Sequence, residues 1–315
     1  MSQIDKMAKI KKLREISDAP FVDCKKALEN SDYDIDLAIN WLNKNGKSKA
    51  LKKSDRIAAE GLVLAKKDAN SVLVFELNSE TDFVAKNQNF INLQQKIGEL
   101  LLASDFANLD DALLIQDEAG RPISELLILA TATIGEKITL RRVFKTKYSL
   151  EQSVEVYTHS NGQIAVITIL KGGNLEIAKN ISMHVAALNP QYILKIEVPN
   201  EKLQEIQLEV EKKAFAEVKN FEKKPENVRV GILKGMIDKQ LSEFVLELQP
   251  LATDSAVTVE KYLAQNSATL EKVVRFEVGE GSKSRMLIFP LRLISKFKNF
   301  RKNRKIIKLK IWRGV

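Results

Sequence analysis

Little in this chain is equipped for redox or metal chemistry. Its 315 residues contain a single cysteine, Cys24, and two histidines, His159 and His184. One cysteine excludes an internal disulfide, and a Cys/His zinc cluster lacks its ligands. Long hydrophobic runs are missing too, since no segment approaches the roughly 18 apolar residues of a membrane span. The N-terminal stretch has no signal-peptide apolar core. A cytoplasmic chain without membrane contact is the resulting expectation. A phosphate loop is also absent: Gly279-Glu280-Gly281-Ser282-Lys283-Ser284 comes nearest, but Lys283 follows no glycine and the spacing to an earlier glycine fails. With no nucleophile elbow and no H-E-x-x-H helix, the residues favour a binding protein over an enzyme, with no cofactor or metal of its own.

What is present describes a globular chain. Hydrophobic residues make up 44% and charged residues 29%, and the length suits two or three modules. The net charge of +9 is unevenly spread. Residues 281–315 carry 12 Lys and Arg and no acid, whereas residues 1–280 carry 38 basic and 41 acidic side chains. The basicity belongs to the tail and says little about the partners of the body.

The first 46 residues read as three helices. Ile10, Leu13 and Ile16 form one stripe, Cys24, Ala27 and Leu28 a second, and Ile35, Ala38, Ile39 and Leu42 a third. Pro20 suits the first turn of the second helix and Gly46 suits a stop after the third. The basic stretch Lys47–Asp55 reads as a linker that is partly helical. Beyond it, residues 61–66 and 71–77 flank Asp68-Ala69-Asn70 as a hairpin. A helix over about 87–103 follows, then a mostly helical stretch from Asp110 to Ile134 broken at Gly120-Arg121-Pro122, and a strand over Lys137–Val143. The plan recurs: Val154–Thr158 and Ile164–Leu170 flank Ser160-Asn161-Gly162, a helix spans about 174–188, and a late strand falls at Val273–Val278. Charged helices lie between, over Glu201–Phe221, from Pro225 to about Leu246, and from Val257 to Ala264, and suggest a helical hairpin.

The junction after residues 72–77 stands out. Val72, Val74 and Glu76 alternate with Leu73, Phe75 and Leu77, as in a half-covered strand. Polar residues then break the run and set Asp82 beside Phe83. Apolar rings are usually buried, so the residues alone favour a Phe83 that closes the local core over one that faces a partner. Glu80 and Asp82 make a poor cation site by themselves. Cys24 lies on an apolar stripe, which favours packing over a reactive thiol. His184 has no carboxylate or nucleophile nearby in sequence and reads as structural or as a contact residue.

Several short motifs occur together in order: Leu13-Arg14-Glu15, Asp23-Cys24-Lys25-Lys26-Ala27-Leu28, Ala58-Ala59-Glu60-Gly61, Thr81-Asp82-Phe83-Val84-Ala85-Lys86 and Ile134-Gly135-Glu136 with Arg141-Arg142. Met183-His184-Val185-Ala186-Ala187, Lys224-Pro225, Gln249-Pro250 and Arg275-Phe276-Glu277-Val278-Gly279-Glu280-Gly281 continue the series. In this order, over residues 1–281, the chain resembles the elongation factor Ts family, the guanine-nucleotide exchange factors for elongation factor Tu. The resemblance implies an α+β fold. It comprises an N-terminal three-helix module like a ubiquitin-associated domain with its linker (1–54), a first core subdomain (55–148) and a second (149–281). Each subdomain carries a three-stranded antiparallel sheet and helices, and a helical hairpin protrudes at about 225–266.

The resemblance also implies the partner, elongation factor Tu, through which alone GDP, GTP and Mg²⁺ are met, with no covalent catalysis. Arg14, Phe21 and Val22 fall at positions where the family's N-terminal module grips that partner. Thr81, Asp82, Phe83 and Val84 match the element that disturbs the partner's magnesium site, and His184 matches a histidine facing its phosphate loop. Two departures stand out. Pro20 and Phe21 replace smaller or flexible residues. Residues 282–315 form an atypical basic tail where the family has an acidic and apolar helix. The tail is either a basic extension contacting ribosomal RNA or an acidic surface, or an out-of-frame reading of an A+T-rich gene, which we favour. The first option carries the alternative function, an RNA- or ribosome-associated binding protein acting through its tail.

Overall fold

The structure, a computed structural model, describes residues 2–17 and 19–282. The basic tail and the readings attached to it lie, from residue 283 onward, outside the described residues. Helices α1 (Gln3–Ser17), α2 (Phe21–Glu29) and α3 (Ile35–Leu51) form the N-terminal module. Their apolar stripes meet as expected: Ile10, Leu13, Cys24, Ala27, Leu28 and Ala38 are all buried together. Asp34 caps α3 by accepting from Leu37 N at 2.8 Å. Cys24 is sealed in this core, and burial raises its thiol pKa, as an inert packing cysteine requires.

Gly46 does not end the third helix. α3 runs through it to Leu51, because the glycine is where this helix meets its neighbour. A Cβ at Gly46 would sit 3.0 Å from Ala132 Cβ. The missing side chain allows close helix approach, and the linker begins as helix, in line with its partly helical reading, docked on the first subdomain. Lys47 reinforces the contact by pairing with Glu125 at 3.1 Å.

The first subdomain contains β1 (Glu60–Lys67), β2 (Ser71–Ser79), α4 (Asp82–Ala85), α5 (Gln88–Ala103), α6 (Leu109–Leu114), α7 (Ile123–Ile134) and β3 (Thr139–Lys147). Its antiparallel sheet has the order β1-β2-β3, with Phe75 opposite Leu64 on one side and Val143 on the other. The second subdomain contains β4 (Gln152–His159), β5 (Ile164–Gly172), α8 (Leu175–Leu188), α9 (Asn200–Glu217), α10 (Glu226–Leu241), β6 (Pro250–Leu251), β7 (Asp254–Thr258), α11 (Val259–Gln265) and β8 (Ala268–Glu277). Its main sheet, also antiparallel, has the order β4-β5-β8. The α+β class and the two three-stranded sheets are as the sequence implies.

The strand preceding Asp82 departs from expectation, because β2 is covered on both faces. Leu73, Phe75 and Leu77 pack with Phe90, Ile97 and Leu101 of α5 and Ile123 of α7. Val72 and Val74, on the opposite face, join Val63 and Ala65 against Val154, Ala165, Ile167, Ile169 and Phe276 of the second sheet. The two sheets therefore stack, and α8 and α11 cover the far side through Ile181, Val185, Val259 and Leu263. Helices, sheet, sheet and helices form four layers, with β2 near the middle.

The helical hairpin is displaced from its expected place at 225–266. It is made by α9 and α10, over residues 200–241. Ile206 and Val210 of α9 pack with Leu233, Met236, Ile237 and Leu241 of α10. By contrast, Val259 and Leu263 of α11 belong to the core of the second sheet. Dense Lys and Glu on α9 obscured its thin apolar stripe. Among the described residues no helix is long and apolar enough to cross a membrane, and no group of three or more His, Cys, Asp or Glu is arranged to hold a metal ion.

Candidate functional site: the turn that follows β2

The chain leaves β2 and immediately enters the single helical turn α4. Thr81 is its N-cap, accepting from Val84 N at 3.4 Å, the role its hydroxyl suits. Ala85 is buried, and Val84 packs against the first-subdomain core. Phe83, one residue earlier, points away and is 79% exposed. It therefore does not close the local core, because α4 spends its buried positions on Val84 and Ala85. Asp82 is exposed beside it and accepts from Lys86 Nζ at 2.7 Å. That hydrogen bond and the ammonium charge hold the Asp82 carboxyl below its ordinary pKa, so it is an anion at neutral pH.

The backbone beneath this exposed pair is tightly held. Glu136, just after α7, accepts from Thr81 N at 2.9 Å and from Thr81 Oγ1 at 2.7 Å. Glu80 answers from the other chain segment, its carboxylate accepting from Lys137 N at 2.7 Å. Ser79 Oγ donates to Thr81 O at 2.9 Å. A large apolar ring and a carboxylate are thus presented on a pinned turn at the end of a central strand. Such an arrangement can press on a partner surface without yielding, and among the described residues no group of three or more His, Cys, Asp or Glu is arranged there to hold a metal ion.

The remaining predicted residues lie elsewhere. Arg14 is exposed in the last turn of α1. Phe21 and Val22, 41% and 58% exposed, open α2 on the same N-terminal module. His184 requires a correction. It is fully buried on the inner side of α8 and cannot itself face a partner in this conformation. Its Nδ1 accepts from Ala252 N at 3.0 Å, which assigns the proton to Nε2, donating to Gln249 Oε1 at 2.9 Å. The ring ties α8 to the Gln249–Ala252 segment, so any influence on a partner passes through that packing.

Burial lowers the His184 pKa from its ordinary 6.5, against the opposing effect of the hydrogen bond it donates to Gln249. Between the lowered value and 6.5 the unfolded chain binds the proton that the folded chain refuses, so stability rises with pH in that window. The contribution is fully present above the unfolded pKa and is lost as pH falls below it. Urea midpoints should therefore decline as pH falls below about 6.5, and less steeply in His184→Gln. Parallel slopes for the two proteins would remove His184 as the source.

A sequence model described as Elongation factor TS matches residues 80–280, a span that opens on this turn and closes at the end of the second sheet. The chain belongs to the elongation factor Ts family. An elongation factor Ts of Mesomycoplasma hyopneumoniae (strain 7448) is 93% identical over 302 residues, covering 96% of this chain and 100% of that protein. One from Mycoplasmopsis pulmonis (strain UAB CTIP) is 45% identical over 298 residues, 95% of this chain and 100% of the relative. One from Acholeplasma laidlawii (strain PG-8A) is 42% identical over 274 residues, 87% and 92% of the two chains. Membership in the elongation factor Ts family makes this protein a translation elongation factor, acting in protein biosynthesis.

Glu136 and Lys137 were not recognised as site residues from the sequence, and Glu80 was weighed only as a poor cation ligand. Ile134-Gly135-Glu136 is visible as a motif, yet nothing in it announces a partner 55 residues earlier in the chain.

Proposed function

We propose that the protein is the nucleotide-exchange factor for elongation factor Tu, acting in the cytoplasm. It binds the GDP form of that partner, loosens Mg²⁺ and GDP, and lets GTP load. The observation that carries this reading is the 79% exposed ring of Phe83 on a backbone fixed by Glu136. An apolar ring held in water gains by entering a partner pocket, and the rigid turn loses little conformational entropy in doing so. Asp82 follows with a charge already formed. Its pairing with Lys86 is exposed and screened by water, so the carboxylate is readily exchanged for a partner's polar group.

Mg²⁺ demands near-octahedral ligands and bridges its protein to nucleotide phosphates. Displacing the side chains around it weakens GDP, tenfold for every 1.4 kcal/mol or so. Arg14, Phe21 and Val22 supply a separate grip from the N-terminal module. Linkage makes the effect reciprocal: GDP weakens this protein's hold on the partner by the same factor. No bond of the nucleotide is made or broken, and the metal and nucleotide belong to the partner. Release of labelled GDP from elongation factor Tu tests the reading directly. Acceleration that rises with concentration of this protein and saturates is expected, and an unchanged release rate would reject it.

A further inference from the structure

We infer that Glu136 is a positioning residue for exchange, and that the Gly135–Lys137 corner fixes the pressing turn relative to the N-terminal module. The inference rests on the exchange reading and names which groups outside the turn make it effective.

The exposed pair Asp82–Phe83 has little to hold it from its own side chains. Phe83 is 79% exposed, and the only side chain Asp82 is paired with among the described residues is the exposed Lys86. A four-residue helical turn is also far too short to be stable alone. Its orientation must come from what grips Thr81, the residue where the strand becomes the turn. Glu136 grips it twice, on the main chain at 2.9 Å and on the hydroxyl at 2.7 Å. One carboxylate spanning a backbone N–H and a side-chain O–H of the same residue fixes direction as well as distance, and charge-assisted bonds of this kind are the stronger ones. The return bond from Lys137 N to Glu80 at 2.7 Å makes the grip mutual. Two short segments, Glu80-Thr81 and Glu136-Lys137, each receive the other's backbone N–H on a carboxylate.

The same corner is tied on its other side to the segment leading from α3. Lys137 Nζ donates to Ser54 O and, at 2.9 Å, to Arg56 O. Lys53 Nζ donates to Gly135 O. Arg56 reaches Glu80 at 3.3 Å, closing the loop. The segment that carries the N-terminal module and the turn that carries Phe83 therefore meet at three consecutive residues. A partner gripped by the module meets the ring at a set distance and angle.

Positioning predicts a particular kinetic signature. Loss of the Glu136 carboxylate leaves the module's grip in place, so the half-saturating concentration should stay within about twofold. The maximal rate of GDP release should fall roughly 10- to 100-fold, the scale on which small misplacements act. Glu136→Gln keeps one acceptor for Thr81 and should fall between wild type and Glu136→Ala. A readout independent of activity accompanies this: amide hydrogen exchange at Thr81–Val84 should quicken in Glu136→Ala while β2 keeps its protection. If Glu136→Ala fails to fold, the comparison rests on Glu136→Gln.

Equal maximal rates for wild type and both variants would overturn the inference, as would unchanged amide protection at the turn. A fall explained wholly by weaker binding would also overturn it. Failure of the exchange reading looks different, because wild type itself would then leave GDP release unchanged.

Discussion

Phe83→Ala is expected to lower the maximal rate at which this protein accelerates GDP release by at least about 30-fold, the equivalent of a hot-spot truncation of about 2 kcal/mol. Thermal unfolding should be nearly unchanged. The asymmetry follows from placement, since a ring 79% exposed contributes little to the core and surface substitutions usually stay within about 0.5 kcal/mol. Asp82→Ala should show the same pattern with a smaller loss, because its pairing with Lys86 is exposed and replaceable. Stopped-flow release of labelled GDP from elongation factor Tu, at saturating concentrations of each variant, reads the effect. Full acceleration by Phe83→Ala would reject the pressing role, and a large drop in melting temperature would show that the ring has a packing role instead.

Glu76→Ala is expected to produce the largest loss of stability, about 3–5 kcal/mol, the scale for breaking a buried ion pair by removing one partner. Glu76 is fully buried. It accepts from Arg141 Nη1 at 2.9 Å, Arg142 Nε at 2.6 Å, Asn78 Nδ2 at 3.0 Å and Gly279 N at 2.7 Å. Arg142 continues to Glu277 O at 2.8 Å and lies over the Phe276 ring at 4.1 Å. The network fastens the first sheet to the end of the second, so both arginines, the Asn78 side-chain amide and the Gly279 N–H lose this carboxylate together. Urea unfolding of wild type and Glu76→Ala checks the figure, and a difference below about 1 kcal/mol, the scale of exposed pairs, would sink it. Added salt should do little to the wild-type network, which is screened less than a surface pair.

How far each element could be read from sequence depended on whether its evidence was local. β2 and α5 were legible because their apolar residues recur at the periods of strand and helix. The three N-terminal helices were legible for the same reason. What covers the second face of β2 was not, because Val72 and Val74 look alike whether they meet solvent, a helix or the second sheet. Gly46 looked like a stop, and only the nearness of Ala132, far along the chain, explains why a helix passes through it. The hairpin was misplaced because α9 carries its apolar positions among many Lys and Glu. At the candidate site, Asp82 and Phe83 were named from sequence, but composition pointed toward a buried ring. Glu136 went unnoticed, since its worth lies wholly in a residue distant in sequence. His184 was found, but its burial was not legible, as a lone histidine carries no sign of which way it faces.

The placement of β2 between two sheets bears on the protein's own biosynthesis. One face of that strand is completed by Phe276 of β8, near the end of the described chain. Chains emerge N-terminus first, and domains fold as they are made. A growing chain that has already exposed its N-terminal module therefore still lacks the base on which Phe83 stands. On the exchange reading, products that stop short of β8 are expected to bind elongation factor Tu without speeding GDP release.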